Sequence, residues 1–411
     1  MLRPLSTVEH VFWLACRSVS NHIVYAAEIA GTPTPQAWRA AFDSVQRRHP
    51  ALSVRISATP DGWPFFETVH GSSIPLHHAG DATWSAEGVA HEWLNGTLSR
   101  ELLEPLDNAT APLMRAVIAT GKDRSVVVVT VSHVIYDGIS VTCWFDDLLR
   151  VLNGEPLDAL SFPQSLNHLL GVPDAVPPQK KISLDGVSYP QTSPPVVRCK
   201  RLSHGLTRQL VQRARDENTT VHGALCSAFV MSGKSRLAHW RREPILLRNP
   251  VDLRRRWGSR YECGFFATST NATLDPDANP SFWDLAREIL RRMDPQGTRE
   301  SAGEGVRQYS DLLSGGMDAK GLVQMSRAGK TPDLGITNVG VVRDTAPFAR
   351  FRLTGLWGPL VRASIPGYLA VAVSSVDGRI HLTMMNHTPL PTFLDDAEVL
   401  LEKACAPRNF F

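Results

Sequence analysis

The stretch Ser125-Val-Val-Val-Val-Thr-Val-Ser132 runs directly into His133-Val-Ile-Tyr-Asp137-Gly138. A nearly continuous valine run predicts a central strand buried on both faces. Beyond it, Ile139 to Leu152 repeats apolar residues at Val141, Trp144, Phe145, Leu148, Leu149 and Leu152, a helical stripe closed by Asn153-Gly154. His133 therefore stands at a strand-to-helix junction, where a rigid element can hold its ring in a cleft. Imidazole is the side chain best suited to moving protons near neutral pH, which makes an enzyme the leading reading. On the hexapeptide alone, a hydrogen-bonded core histidine is the competing one.

Outward from this junction the chain alternates helical and strand patterns, an α+β arrangement within the α/β class. Ser6-Thr7-x-Glu9 predicts a capping box for a first helix reaching Cys16. Ile23 to Ala30 reads as a strand, Pro35 to Arg48 as a helix, and Ala51 to Ser57 with Phe65 to Val69 as two strands. Ala82 to Asn95 reads as a helix despite Gly88, and Pro112 to Thr120 as a strand. The segment from Glu155 to about Val197 is rich in Pro, Gly, Ser and Gln, so it predicts an interdomain connection with one short helix near Phe162 to Leu170. Strands are expected at 197–203, 245–251, 339–342, 369–373 and 380–385, and helices at 206–216, 220–231, 282–292 and 393–404. At 411 residues the chain exceeds the size at which one core usually stops growing. The expected division is 1–165, a linker at 166–196, and 197–411.

Hydrophobic residues make up 43%, enough for two cores, and 43 basic against 40 acidic residues leave a formal charge of +3 without a long basic block. Neither a nucleic acid nor an anionic membrane surface is implied as a partner. The six cysteines, Cys16, Cys143, Cys199, Cys226, Cys263 and Cys405, lack C-x-x-C spacing and read as free thiols. No run approaches 18 apolar residues and no leader pattern is visible, so the expectation is a cytoplasmic protein without a membrane span. His70, His77, His78 and His387 lack the spacing of a metal site, and no glycine-rich nucleotide loop is present; no metal and no permanently bound cofactor are expected.

Five pieces in order, Leu5-Ser6-Thr7-x-Glu9, His133-x-x-x-Asp137-Gly138, Pro250-Val251-Asp252-Leu253-Arg254, Thr337-Asn338-Val339-Gly340 and Leu356-Trp357-Gly358-Pro359, span nearly the whole chain. In them the sequence resembles the acyltransferases of the chloramphenicol acetyltransferase-like superfamily. Within that superfamily it is similar to nonribosomal peptide condensation domains and to free-standing, ester-forming polyketide-associated acyltransferases.

The resemblance implies two α/β subdomains forming a V-shaped pseudo-dimer with His133 in the cleft. It implies an acyl donor that is a thioester, either acyl-coenzyme A or acyl-phosphopantetheine on a carrier protein, and a small-molecule alcohol or amine acceptor. His133 would take the acceptor's proton, or orient the acceptor and stabilise a charged intermediate. Asp137 would be structural, paired with an arginine for which Arg254 is the candidate. Gly138 would supply a close approach or an unusual backbone angle, with its amide toward the oxyanion. Trp357, Gly358 and Asn338 would shape or flank the donor site. Read from residue type alone, the run Arg254-Arg255-Arg256 either receives a donor phosphate or forms a solvated basic face. Ser132 stands where condensation domains usually carry a first histidine, a departure that tilts the expectation toward ester formation. Amide-forming condensation and a non-catalytic docking protein of a multienzyme synthase remain the alternatives.

Overall fold

The computed structural model describes residues 2–18, 21–187, 194–254, 262–278, 280–294, 297–342, 350–362 and 367–406. Two larger sheets organise them. The first has five strands in the order Arg352–Val361, His22–Ala30, Arg124–Ser132, Met114–Thr120, Leu76–Ala79. The second is mixed and has six, in the order Ala267–Leu274, Ile245–Asp252, Leu334–Val341, Leu369–Val376, Arg379–Asn386, Val196–Arg201.

The valine strand Arg124–Ser132 is the third of five, so both its edges are paired and both its faces covered. Val127, Val129 and Val131 pack with Phe42, Trp144 and Phe145 of the helices Pro35–Arg48 and Gly138–Leu152. Val126 and Val128 pack on the other face with Leu94, Leu98 and Trp357. Period-two alternation sends successive valines to opposite cores, and each buried side chain contributes about 1.5–3 kcal/mol relative to exposure. A separate core in the second half gathers Phe229, Leu247, Ile289, Leu382 and Phe393 around the helix Val221–Arg236.

Two departures from the expected organisation bear on the site. The strand Arg352–Val361, from the second half of the sequence, pairs antiparallel with His22–Ala30 and so completes the first sheet. A division at residue 197 thus misses one crossing strand. The segment expected as a linker is also fastened down: it contains the helix Leu166–Leu170, and buried Asn167 accepts from the amide of Thr7 at 3.2 Å and donates to its hydroxyl at 3.0 Å. Residues 188–193 of that segment lie outside the described residues.

Ala82 to Asn95 is not one helix. Gly88, at φ 141°, turns a small hairpin of Trp84–Ser85 with Gly88–Val89, and the helix begins only at His91 and runs to Leu103. A Cβ at Gly88 would lie 2.4 Å from the buried Glu28 carboxylate, so the chain bends around that charge instead of continuing as a helix.

Candidate functional site

The valine strand ends at Ser132 and the next helix starts at Gly138, so His133 is fixed from both sides within five residues. Its Nδ1 lies 2.9 Å from the carbonyl oxygen of Tyr136. A carbonyl only accepts, so Nδ1 carries the proton and Nε2 keeps a lone pair. The ring is half-buried, with the rings of Phe12 and Phe265 at 4.4 and 5.4 Å between centroids. Burial lowers its pKa below the ordinary histidine value, against a smaller upward pull from the Tyr136 carbonyl and Asp137. At neutral pH the ring is an uncharged base.

Tyr136, whose carbonyl sets this tautomer, is itself anchored. Its hydroxyl lies 2.8 Å from Nδ1 of His49, whose Nε2 lies 2.8 Å from Asp147. Arg48 donates to the same carboxylate at 2.6 Å. This buried relay braces the loop from behind.

Asp137 turns away from the reacting side. Its Oδ1 accepts from the Ser140 amide at 2.9 Å and from Arg254 at 3.0 Å; its Oδ2 accepts from Arg254 and from the Phe266 amide, both at 2.8 Å. Burial alone would raise this carboxyl, but the Arg254 guanidinium and these hydrogen bonds outweigh it and hold the pKa below the usual carboxylate range. Asp137 also caps the helix Gly138–Leu152, and its amide donates to Gly264 at 3.1 Å.

Arg254 is 1% exposed and fully engaged: Nε donates to Glu262, Nη1 to Asp137 and Asp252, Nη2 to Asp137, Ser140 and Gly264. Its expected alternative role in receiving a donor phosphate is corrected by this burial. Arg255 and Arg256 lie outside the described residues.

A cavity of about 500 Å³ opens beside His133, walled from both halves of the sequence. The first helix contributes Val8, Val11 and Phe12; the second sheet contributes Arg248, Asn271 and Thr337; the crossing strand contributes Pro359 and Val361. Gly138 lines it too. A Cβ there would lie 3.0 Å from Pro359 and 3.3 Å from the Tyr25 hydroxyl, and its φ is not positive, so close approach and not backbone angle explains the glycine. As the first helical residue its amide has no carbonyl partner within the helix.

The remaining expected residues stand off the cavity. Trp357 is fully buried in the apolar core, with the Arg201 guanidinium 4.9 Å over its ring. Gly358 packs against the Val24 carbonyl. Both support the strand that projects Pro359 into the cavity lining and do not line it themselves. Asn338 is half-buried on the opposite face from Thr337, its Oδ1 accepting from the Gly340 amide at 2.8 Å and its Nδ2 3.5 Å from His222. Phe12, Phe265 and Tyr136's anchor His49 were not legible as site residues, since nothing local links them to His133. Among the described residues no three His, Cys, Asp or Glu side chains gather as a metal site, and no helix is long and apolar enough to cross a membrane.

The family pattern described as "Phthiocerol/phthiodiolone dimycocerosyl transferase C-terminus" matches residues 190–385. The fold superposes on polyketide synthase associated protein 5 from Mycobacterium tuberculosis with a TM-score of 0.68 at 16% identity, covering 99% of this chain and 98% of that one. It superposes on the first condensation domain of the CDA synthetase with a TM-score of 0.67 at 16% identity, covering 99% and 97%. At 16% identity these superpositions show that the chain shares the fold of those two proteins. The chain is also 28% identical over 218 residues to nonribosomal peptide synthetase 6 of Alternaria brassicicola, a match covering 51% of this chain and 14% of that protein. It spans between 4% and 14% of the length of the curated relatives it matches.

Proposed function

We propose that this protein is a member of the chloramphenicol acetyltransferase-like, condensation-domain superfamily and transfers an acyl group from a thioester to a nucleophilic acceptor, with His133 as the proton acceptor. The observation that carries the proposal is the His133 ring, fixed through Nδ1 with its Nε2 lone pair available beside a cavity built from both halves of the sequence. As the acceptor attacks the thioester carbonyl, Nε2 takes its proton. The carbon–sulfur bond then breaks, and the imidazolium returns the proton to the leaving thiolate. The amide of Gly138 is the donor proposed for the developing oxyanion. No covalent enzyme intermediate is required.

The donor is an acyl thioester of coenzyme A or of a carrier protein's phosphopantetheine arm. Likeness to a synthetase condensation domain and to a nonribosomal peptide synthetase supports the carrier and gives an amine acceptor more weight than the alcohol expected from Ser132. A hydroxyl acceptor is the second reading, supported by the dimycocerosyl transferase pattern over the second half. Two sheet-bearing halves around the cavity fit a V-shaped pseudo-dimer.

The test offers acyl-coenzyme A and acyl-carrier thioesters with amines and alcohols, reading products by mass spectrometry with H133A as control. Loss of a general base predicts a rate about 10²–10⁴-fold lower in H133A. A His133-dependent amide supports the condensation reading, and a His133-dependent ester moves it to hydroxyl transfer. Folded protein giving no His133-dependent product would favour a docking role in a synthase.

A further inference from the structure

The cavity is asymmetric in polarity. Its first-half wall is apolar, with Val8, Val11, Phe12 and Ile23, whereas the second sheet turns a row of hydrogen-bonding groups toward it. Strand alternation explains the row. Leu247 and Asn249 are buried, while Arg248 and Pro250 between and after them face the cavity. On the neighbouring strands Ser269, Asn271 and Thr337 face the same way.

Arg248 is the cation of this wall. In register it stands between Asn271 on one strand and Gly335 on the other. Its Nε donates to Asn271 Oδ1 at 3.2 Å, which steadies the guanidinium and engages neither Nη group. Gly335 puts no side chain beside it. The space a Cβ at 335 would enter is taken by the Tyr368 hydroxyl, 1.8 Å from that position, so a phenol stands there as a neutral hydrogen-bonding group. Burial raises the pKa of Tyr368 and keeps the phenol protonated.

No carboxylate answers Arg248 among the described residues. Asp137, the acid in the cavity lining, has both oxygens bound by Arg254. An exposed guanidinium on the cavity wall, flanked by neutral hydrogen-bonding groups and without a carboxylate partner among the described residues, is complementary to a bidentate oxyanion. About 500 Å³ leaves room for such a group together with the reacting atoms.

We propose that the cavity selects a substrate bearing an oxyanion, a carboxylate or a phosphate, which Arg248 binds while the acyl carbonyl is presented to His133. The proposal rests on the acyl-transfer reading for the second half of that statement, and on the cavity alone for the first. Two sources supply the chemistry: the phosphates of a coenzyme A donor, or a carboxylate on the acceptor.

The experiment measures two preference ratios in kcat/KM for wild type, R248Q and R248K. One compares a coenzyme A thioester with the N-acetylcysteamine thioester of the same acyl group, which lacks phosphate. The other compares a free amino acid acceptor with its carboxamide. R248Q is expected to lower one ratio about ten- to a hundredfold, with partial recovery in R248K, which keeps charge but not the planar fork. Collapse of the first ratio identifies the phosphate, and collapse of the second the carboxylate. Both ratios unchanged in R248Q overturn the proposal. Absence of any His133-dependent product would be a failure of the acyl-transfer reading instead. Titration calorimetry with coenzyme A and with the amino acid then still reads Arg248: weaker binding of either to R248Q supports the anion site, and equal or absent binding in both proteins overturns it.

Discussion

Arg254 grips both carboxylate oxygens of Asp137, Nη1 on Oδ2 at 2.8 Å and Nη2 on Oδ1 at 3.0 Å, across 117 positions of sequence. Both residues are buried, at 1% and 3% exposure. The pair ties the loop that carries His133 to the second half of the chain.

Removing one partner leaves the other charge buried and unmatched. D137A and R254M are each expected to cost about 3–5 kcal/mol in urea denaturation. The double variant D137L/R254M should lose less than the sum, because the second change removes the orphaned charge left by the first. A D137A protein as stable as wild type would count against this account.

The pH profile follows from the His133 environment. Burial lowers its pKa below the ordinary 6.5, and catalysis needs the neutral ring. The neutral fraction grows as pH rises through the folded pKa, so kcat/KM should fall on the acid side with the midpoint of its rising limb below pH 6.5. A rising limb centred above 6.5 would contradict a base in this setting.

Gly138 offers a test that leaves the helix intact. G138A places a methyl 3.0 Å from the Pro359 ring and 3.3 Å from the Tyr25 hydroxyl, narrowing the cavity beside His133. Alanine suits a first-turn position, so melting temperature should hold within a few degrees. Turnover should fall by about tenfold or more, as geometry at the reacting atoms is disturbed.

Several histidines make the fold sensitive to acid. Burial pushes His10 and His381 down to about 3, and His22 and His222 down to about 4. Above pH 6.5 the folded and unfolded states are both neutral at these sites. As pH falls from 6.5 toward 3–4 the unfolded chain takes up protons that the folded one refuses, and stability drops by up to about 1.4 kcal/mol per pH unit for each histidine. Among the described residues neither ring nitrogen of His10 has a hydrogen-bond partner, and its ring packs against Trp13 and Trp63. H10F should therefore flatten the melting temperature against pH between 6.5 and 4; an unchanged slope would remove His10 from the explanation.

The sequence was most legible where one periodicity ran unbroken. Pro35–Arg48, the valine strand and the helix after Gly138 were readable because apolar residues mark one clean period and turn residues end it. Legibility failed where tertiary contacts decide. The strand Arg352–Val361 carries Gly355, Gly358 and Pro359 and lacks a strand's usual composition; its register comes from pairing with His22–Ala30. The helices Arg299–Ser314 and Ala319–Ala328 run unbroken through glycines at 303, 305 and 321, residues that weaken a helical pattern in sequence. At the site, His133, Asp137 and Gly138 share one local motif, whereas Phe12, Phe265 and Arg248 meet the cavity only through topology.

That crossing strand also governs what fragments of the chain can do. A piece ending before residue 196 would keep the valine strand and His133 but leave His22–Ala30 as an uncovered sheet border, with unsatisfied backbone groups along a row of apolar side chains. Such borders recruit other chains. Splitting the protein into its two sequence halves should yield sticky, self-associating material, so the halves must be produced together for either to stay in its native form.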